Sequence, residues 1–139
     1  MRANSYDWAL FSVRLAASII FMAHGAQKLF GAFGGSGLEP LVRMLGPVAY
    51  LVAIGEFFGG LGLLFGFLSR FSAASLIIIM IGAIAKVHAP NGFFLGAKPG
   101  FEFNLALIGL LVPVLIAGPG AISVARRVGA MVGRGKWML

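Results

Sequence analysis

Apolar residues do not alternate along this chain. They come in long unbroken runs, such as Leu76-Ile77-Ile78-Ile79-Met80. Four runs stand out, over Trp8–Phe30, Pro47–Leu68, Phe71–Val87 and Phe103–Ala117. Each is near or just under the roughly 20 residues that a bilayer-spanning helix needs. A spanning sheet would require a closed barrel of alternating strands, a pattern the chain lacks. The punctuation supports helices. Glycines 31, 34, 35 and 37 end the first run, and Gly46-Pro47 opens the second. Ser69-Arg70 reads as a tight turn, Pro90-Asn91-Gly92 stops the third run, and Gly118-Pro119-Gly120 stops the fourth. Pro113 falls inside the fourth run, a position that membrane helices tolerate.

Composition names the solvent. Of 139 residues, 60% are hydrophobic and 11% are charged, and the mean hydropathy is +0.99. A soluble domain carries about 25% charged residues, so the surroundings here are lipid. Intrinsic disorder is excluded by the hydrophobicity. The absence of cysteine excludes disulfide scaffolds, thiol redox chemistry and thiolate metal sites. No metal site is expected. The expected fold is an all-α, integral membrane four-helix bundle: a single transmembrane domain over residues 1–139, with a basic tail from 118 to 139.

The net charge of +7 would suggest nucleic acid in a soluble protein, but placement argues for topology instead. Arg2, Arg70, Arg126, Arg127, Arg134 and Lys136 fall on the side of the termini. Lys28, Arg43, Lys86 and Lys98 fall on the other. The bias puts both termini in the cytoplasm, with no nucleic-acid partner. Arg14 interrupts any signal-peptide core, so the first run is expected to stay in the mature protein. From Ala121 to Trp137, Val124, Ala125, Val128, Met131 and Val132 share one helical side, as in a helix lying on anionic headgroups. A frayed basic tail fits the three glycines there equally well.

Ionisable residues inside the runs carry the candidate chemistry, because charge in hydrocarbon is expensive and normally faces protein or water. They are Arg14, His24, Gln27 and Lys28 in the first run, and Glu56 in the second. Lys86 and His88 end the third, and Glu102 and Asn104 open the fourth. At about 1.5 Å of rise per residue, all but Arg14 gather in the outer leaflet, Glu56 deepest. Ser72, Ser75, Gly82 and Lys86 share one helix face, while the direction of His88 stays open. Glu56 needs a cation, and Arg14 from below or Lys28, Lys86 and His24 from above qualify. Arg14 with Glu56 is a candidate structural ion pair. Gly55, Gly59, Gly62 and Gly66 form a stripe suited to close helix packing, within the chain or with a second subunit.

Arg14, His24-Gly25-Ala26-Gln27-Lys28, Glu56-Phe57-Phe58-Gly59-Gly60, Arg70 and the late Gly118-Pro119-Gly120 with Ser123 together resemble the DoxX family. The resemblance spans about residues 8–124. It implies a small four-helix protein of the bacterial inner membrane with a link to respiratory or sulfur oxidoreduction, since relatives include subunits of a thiosulfate:quinone oxidoreductase.

Three functions compete. A quinone-interacting subunit of an oxidoreductase system would use His24, Gln27, Lys28, Glu56, Lys86, Glu102 and Asn104 as ligand-binding residues. Phe30, Phe33, Phe93, Phe94, Phe101 and Phe103 would supply aromatic walls. No dinucleotide motif is present, so any redox group other than quinone belongs to a partner subunit. A structural or assembly subunit, homo-oligomeric if the glycine stripe meets a second copy, and a small proton-coupled transporter are the alternatives. Haem between His24 and His88 is disfavoured because His88 lies off the inward helical face.

Overall fold

The computed structural model describes residues 3–131. The chain folds as α1 (Ser5–Phe30), α2 (Glu39–Leu45), α3 (Val48–Phe65), α4 (Ser69–Ala83), α5 (Glu102–Ala117) and α6 (Val124–Met131). α4 runs on through a π-helical turn, Ile84–His88, and a short 3-10 turn, Ala89–Asn91. α1 packs on α3, α3 on α4, α4 on α5, and α5 returns to α1, which closes a four-helix ring. The protein is an all-α membrane bundle. α1, α3 and the continuous segment Ser69–Asn91 are long and apolar enough to cross a bilayer. α5, at 16 residues, is about 24 Å long and falls short of the usual span of about 30 Å.

Local signals set the ends. Asn4 caps α1 by accepting from the Asp7 backbone, while the Asp7 side chain accepts from the Asn4 backbone. Gly31, at φ 66°, ends α1 in the left-handed conformation. The turn between α3 and α4 falls at Gly66–Leu68, not at Ser69-Arg70, because Gly66 and Leu68 take left-handed φ values of 66° and 48°. Ser69 and Arg70 already belong to α4. Helix α2 lies between the first two apolar runs; Pro40 in its first turn and the Glu39–Arg43 ion pair favour it. α5 continues through Pro113 without interruption. In the tail, α6 buries Ala125 and exposes Val124 and Val128; the remainder of the expected tail helix, from 132 on, lies outside the described residues.

The core is apolar and tightly spaced. Phe21, Leu63, Leu76, Leu111 and Val114 are almost fully buried with Ala17 and Ala73. Ile19, Phe58 and Ile78 are 58–70% exposed in mid-helix, as a lipid-facing surface requires. The glycine stripe is used within the chain: Gly55 meets Ile79, Gly59 meets Leu76 and Gly62 meets Ser72, all on α4. The contact between α1 and α3 rests on two other glycines. A Cβ on Gly25 would stand 2.5 Å from the Phe57 nitrogen, and one on Gly60 would stand 2.9 Å from the Met22 nitrogen. Gly25→Ala is therefore expected to destabilise the bundle by about 1–3 kcal/mol. Gly109→Ala, whose Cβ would meet nothing within 4 Å, is expected to be neutral or to gain up to about 1 kcal/mol. Thermal unfolding of both variants in one detergent checks the pair.

Candidate functional site

Antiparallel pairing of α1 with α3 decides which polar groups meet. Gly25 stands against Phe57, and Ser18 and Met22 stand against Gly60. At that register Arg14 reaches the last turn of α3, not its middle. Its Nε donates to Leu63 O at 2.8 Å, and Nη2 donates to Leu64 O at 3.2 Å. Nη1 donates to Pro119 O and, at 2.9 Å, to Ile122 O. Arg14 is 1% exposed. The guanidinium thus supplies donors to carbonyls in the last turn of a helix, where the helix dipole also favours a cation. Asp7 completes the joint: it is buried and accepts from the Ala121 backbone at 2.6 Å. Arg14 and Asp7 together bind the segment after α5 onto α1 and α3.

The candidate ion pair of Arg14 with Glu56 is therefore replaced. Glu56 pairs with Lys28. Lys28 lies in the last turn of α1, about 21 Å along the helix from Arg14, and the register brings it, not Arg14, to the middle of α3. The Glu56 side chain is 5% exposed and that of Lys28 is 23% exposed. The pair thus lies well inside the bundle, with the lysine at its edge.

Above the Gly55–Ile79 contact, α3 and α4 no longer touch through glycine. A cavity of about 1410 Å³ widens there, under α2 and the loop before α5, and continues down the seam of the two helices to Phe71. Its walls are mostly aliphatic and aromatic. Its polar lining comes from His24, Lys28, Glu56, Ser72, Ser75, Lys86, His88 and Asn104. Asn104 is buried and donates to the Met80 sulfur at 3.4 Å, so its amide is held on the inner wall. The His24 and Phe103 rings stand 6.2 Å apart between centroids.

Each residue singled out in the sequence has a place. His24, Lys28, Glu56, Lys86 and Asn104 come together on the cavity. Gln27 does not: it lines a separate small cavity of about 200 Å³ with Ala23, His24 and Phe33. Glu102 does not either. It accepts from the Leu95 backbone at 2.5 Å and so ties down the loop before α5. Of the six outer phenylalanines, Phe103 alone lines the large cavity; Phe30, Phe33 and Phe94 are 70–81% exposed. His88, whose direction a regular helix leaves open, lines the cavity too, because the π-helical turn at 84–88 changes its angle relative to Lys86. Its Nδ1 donates to Pro99 O at 3.0 Å. Asp7 was missed, although the Asn-x-x-Asp pattern at 4–7 is a capping signal. Among the described residues, no group of His, Asp or Glu is arranged to hold a metal ion.

The DoxX family profile matches residues 9–89, from α1 through the π-helical turn of α4. The chain belongs to the DoxX family. Relatives agree over most of their length. The "Inner membrane protein YqjF" of Escherichia coli is 31% identical over 86% of this chain and 92% of its own. The "Putative oxidoreductase CatD" of Bacillus subtilis is 27% identical over 75% and 76%. An "Uncharacterized membrane protein Rv3486" of Mycobacterium tuberculosis is 30% identical over 86% and 80%. No solved structure matches the chain. Within this DoxX protein, the matched stretch contains Arg14 and every cavity residue before the final loop and α5.

Proposed function

We propose that this DoxX protein is the membrane subunit of a respiratory or sulfur-linked oxidoreductase system and binds a quinone in the cavity between α3 and α4. The observation that carries the reading is the Lys28–Glu56 pair on a cavity whose walls are mostly apolar. Small-molecule sites combine apolar walls with a few fixed polar groups. A quinone ring asks for that combination, with donors at its carbonyls and an apolar wall at its face. Lys28, Lys86, His24 and Asn104 supply donors, and Phe103 supplies a face. The "oxidoreductase" in the name of the Bacillus relative supports the redox class. With no nucleotide motif in the chain, electrons would reach the quinone from a partner subunit. In this reading both termini are cytoplasmic and the cavity end faces outward in a bacterial inner membrane. The excess of basic residues on the terminal side supports that orientation.

Solvent extraction of the purified protein, followed by mass spectrometry, tests the reading. Stoichiometric quinone, or saturable binding of an added quinone, is the expected result. Neither would sink it. The absorption spectrum is expected to show no Soret band. A Soret band would instead put haem between His24 and His88. The assembly alternative predicts an intact bundle that binds nothing.

A further inference from the structure

The cavity does not stop at the ring of helices. Its lining includes Leu51, Ile54 and Phe58 on α3 and Ile78 and Phe71 on α4, and these residues are 45–71% exposed on the outer face. A groove therefore runs down the lipid-facing seam of α3 and α4, from Lys86 to Phe71. Fifteen residues of helix make that about 22 Å. The two ends differ in chemistry. The upper end is lined by Lys28, Lys86, His24 and His88 and by one carboxylate, Glu56, which pairs with Lys28; the Lys86 side chain makes no hydrogen bond or ion pair among the described residues. The lower stretch is apolar apart from Ser72 and Ser75.

Gly82 lies on the lining where the upper end meets the seam. A Cβ there would meet nothing within 4 Å. Unlike Gly55, Gly59 and Gly62, this glycine is not required by helix contact. A glycine within a helix costs about 1 kcal/mol relative to alanine, and what it leaves here is open space on the groove. A ligand that fits this arrangement has an acceptor-bearing head and a long apolar chain, and it reaches the site sideways from the bilayer.

Building on the quinone reading, we propose that the α3–α4 seam is a tail channel: the quinone enters laterally from lipid, its ring stops at Lys86 and the Lys28–Glu56 pair, and its isoprenoid chain lies along Gly82, Ser75 and Ile78. Gly82 sets the width of the channel and is a specificity-determining position for tailed over tailless quinones.

The test is photolabelling of the full chain in lipid nanodiscs, with one ubiquinone analogue carrying a diazirine on its ring and another carrying it on its chain. The expected pattern is ring labels near Lys28 and Lys86 and chain labels on 51–58 and 71–82, both displaced by unlabelled ubiquinone. Gly82→Phe, which fills the channel, should cut chain labelling of these segments by about tenfold. Gly82→Ala should keep it. Gly109→Phe, a bare glycine that does not line the groove, should also keep it, so loss in both phenylalanine variants would overturn the assignment. Chain labels spread evenly over α1 and α5, or a groove labelled equally by a diazirine phospholipid that ubiquinone fails to displace, would overturn the tail channel and leave ring binding standing. No saturable labelling by either analogue would overturn the quinone reading itself.

Discussion

Arg14→Met is expected to cost the fold about 3–5 kcal/mol, because several hydrogen bonds from one buried charged group to backbone carbonyls are lost together. The side chain is 1% exposed and donates to four carbonyls, two on α3 and two after α5. Methionine fills a similar volume, so packing changes little. What is lost is donation to four carbonyls, two of them in fully buried bonds. Each charge-assisted bond is worth about 1.5–3 kcal/mol. Arg14→Lys should recover only a part of the loss. An ammonium is a compact point charge, and four carbonyls spread around a planar fork cannot all reach it. Denaturant or thermal unfolding in detergent measures both variants. Protease sensitivity after residue 117 reports where the damage falls, since Pro119 and Ile122 would lose their anchor first. Stability equal to wild type in Arg14→Met would show that the carbonyls find other partners.

Glu56→Gln should separate folding from binding. Replacing one partner leaves Lys28 facing a neutral amide, but that lysine keeps 23% of its side-chain surface and can turn toward the interface. The expected destabilisation is therefore about 1–3 kcal/mol, smaller than for Arg14. Ligand binding in the cavity should fall far more, because the carboxylate orients the ammonium at the inner end. The double variant Lys28→Met, Glu56→Leu removes both charges. Buried pairs exchanged together for apolar groups are often neutral or stabilising. We expect its unfolding to return to near wild type while quinone binding stays lost. A double variant as unstable as the sum of the singles would show that Lys28 and Glu56 stabilise the fold independently and not as a pair. A stable double variant that still binds quinone would remove the pair from the site.

Several features were legible in the linear pattern. Unbroken apolar runs with few charges announced membrane helices, because backbone in hydrocarbon must bond to itself. The helical spacing of Ser72, Ser75, Gly82 and Lys86 placed them on one face, and all four line the cavity. Helix α2 escaped notice because seven residues carry too little periodicity to distinguish helix from loop. His88 escaped because a regular 100° step does not apply across a π-helical turn. Gln27 and Glu102 share the depth of the other polar residues, yet depth says nothing about direction. Gln27 faces a different cavity and Glu102 holds a loop.

The sequence by itself determined the solvent, the helices and which residues carry charge at roughly which height. These are properties of composition and of a fixed rise per residue. Only the tertiary structure decided partners. Whether Glu56 meets Arg14 or Lys28 depends on how far α1 slides along α3, and that is set by where Gly25 and Gly60 permit backbones to touch. A shift of one turn, about 5.4 Å, would assign different partners. The same contacts place Arg14 at the end of α3, where it binds carbonyls, and leave Lys28 with Glu56 at the inner end of a groove open to lipid.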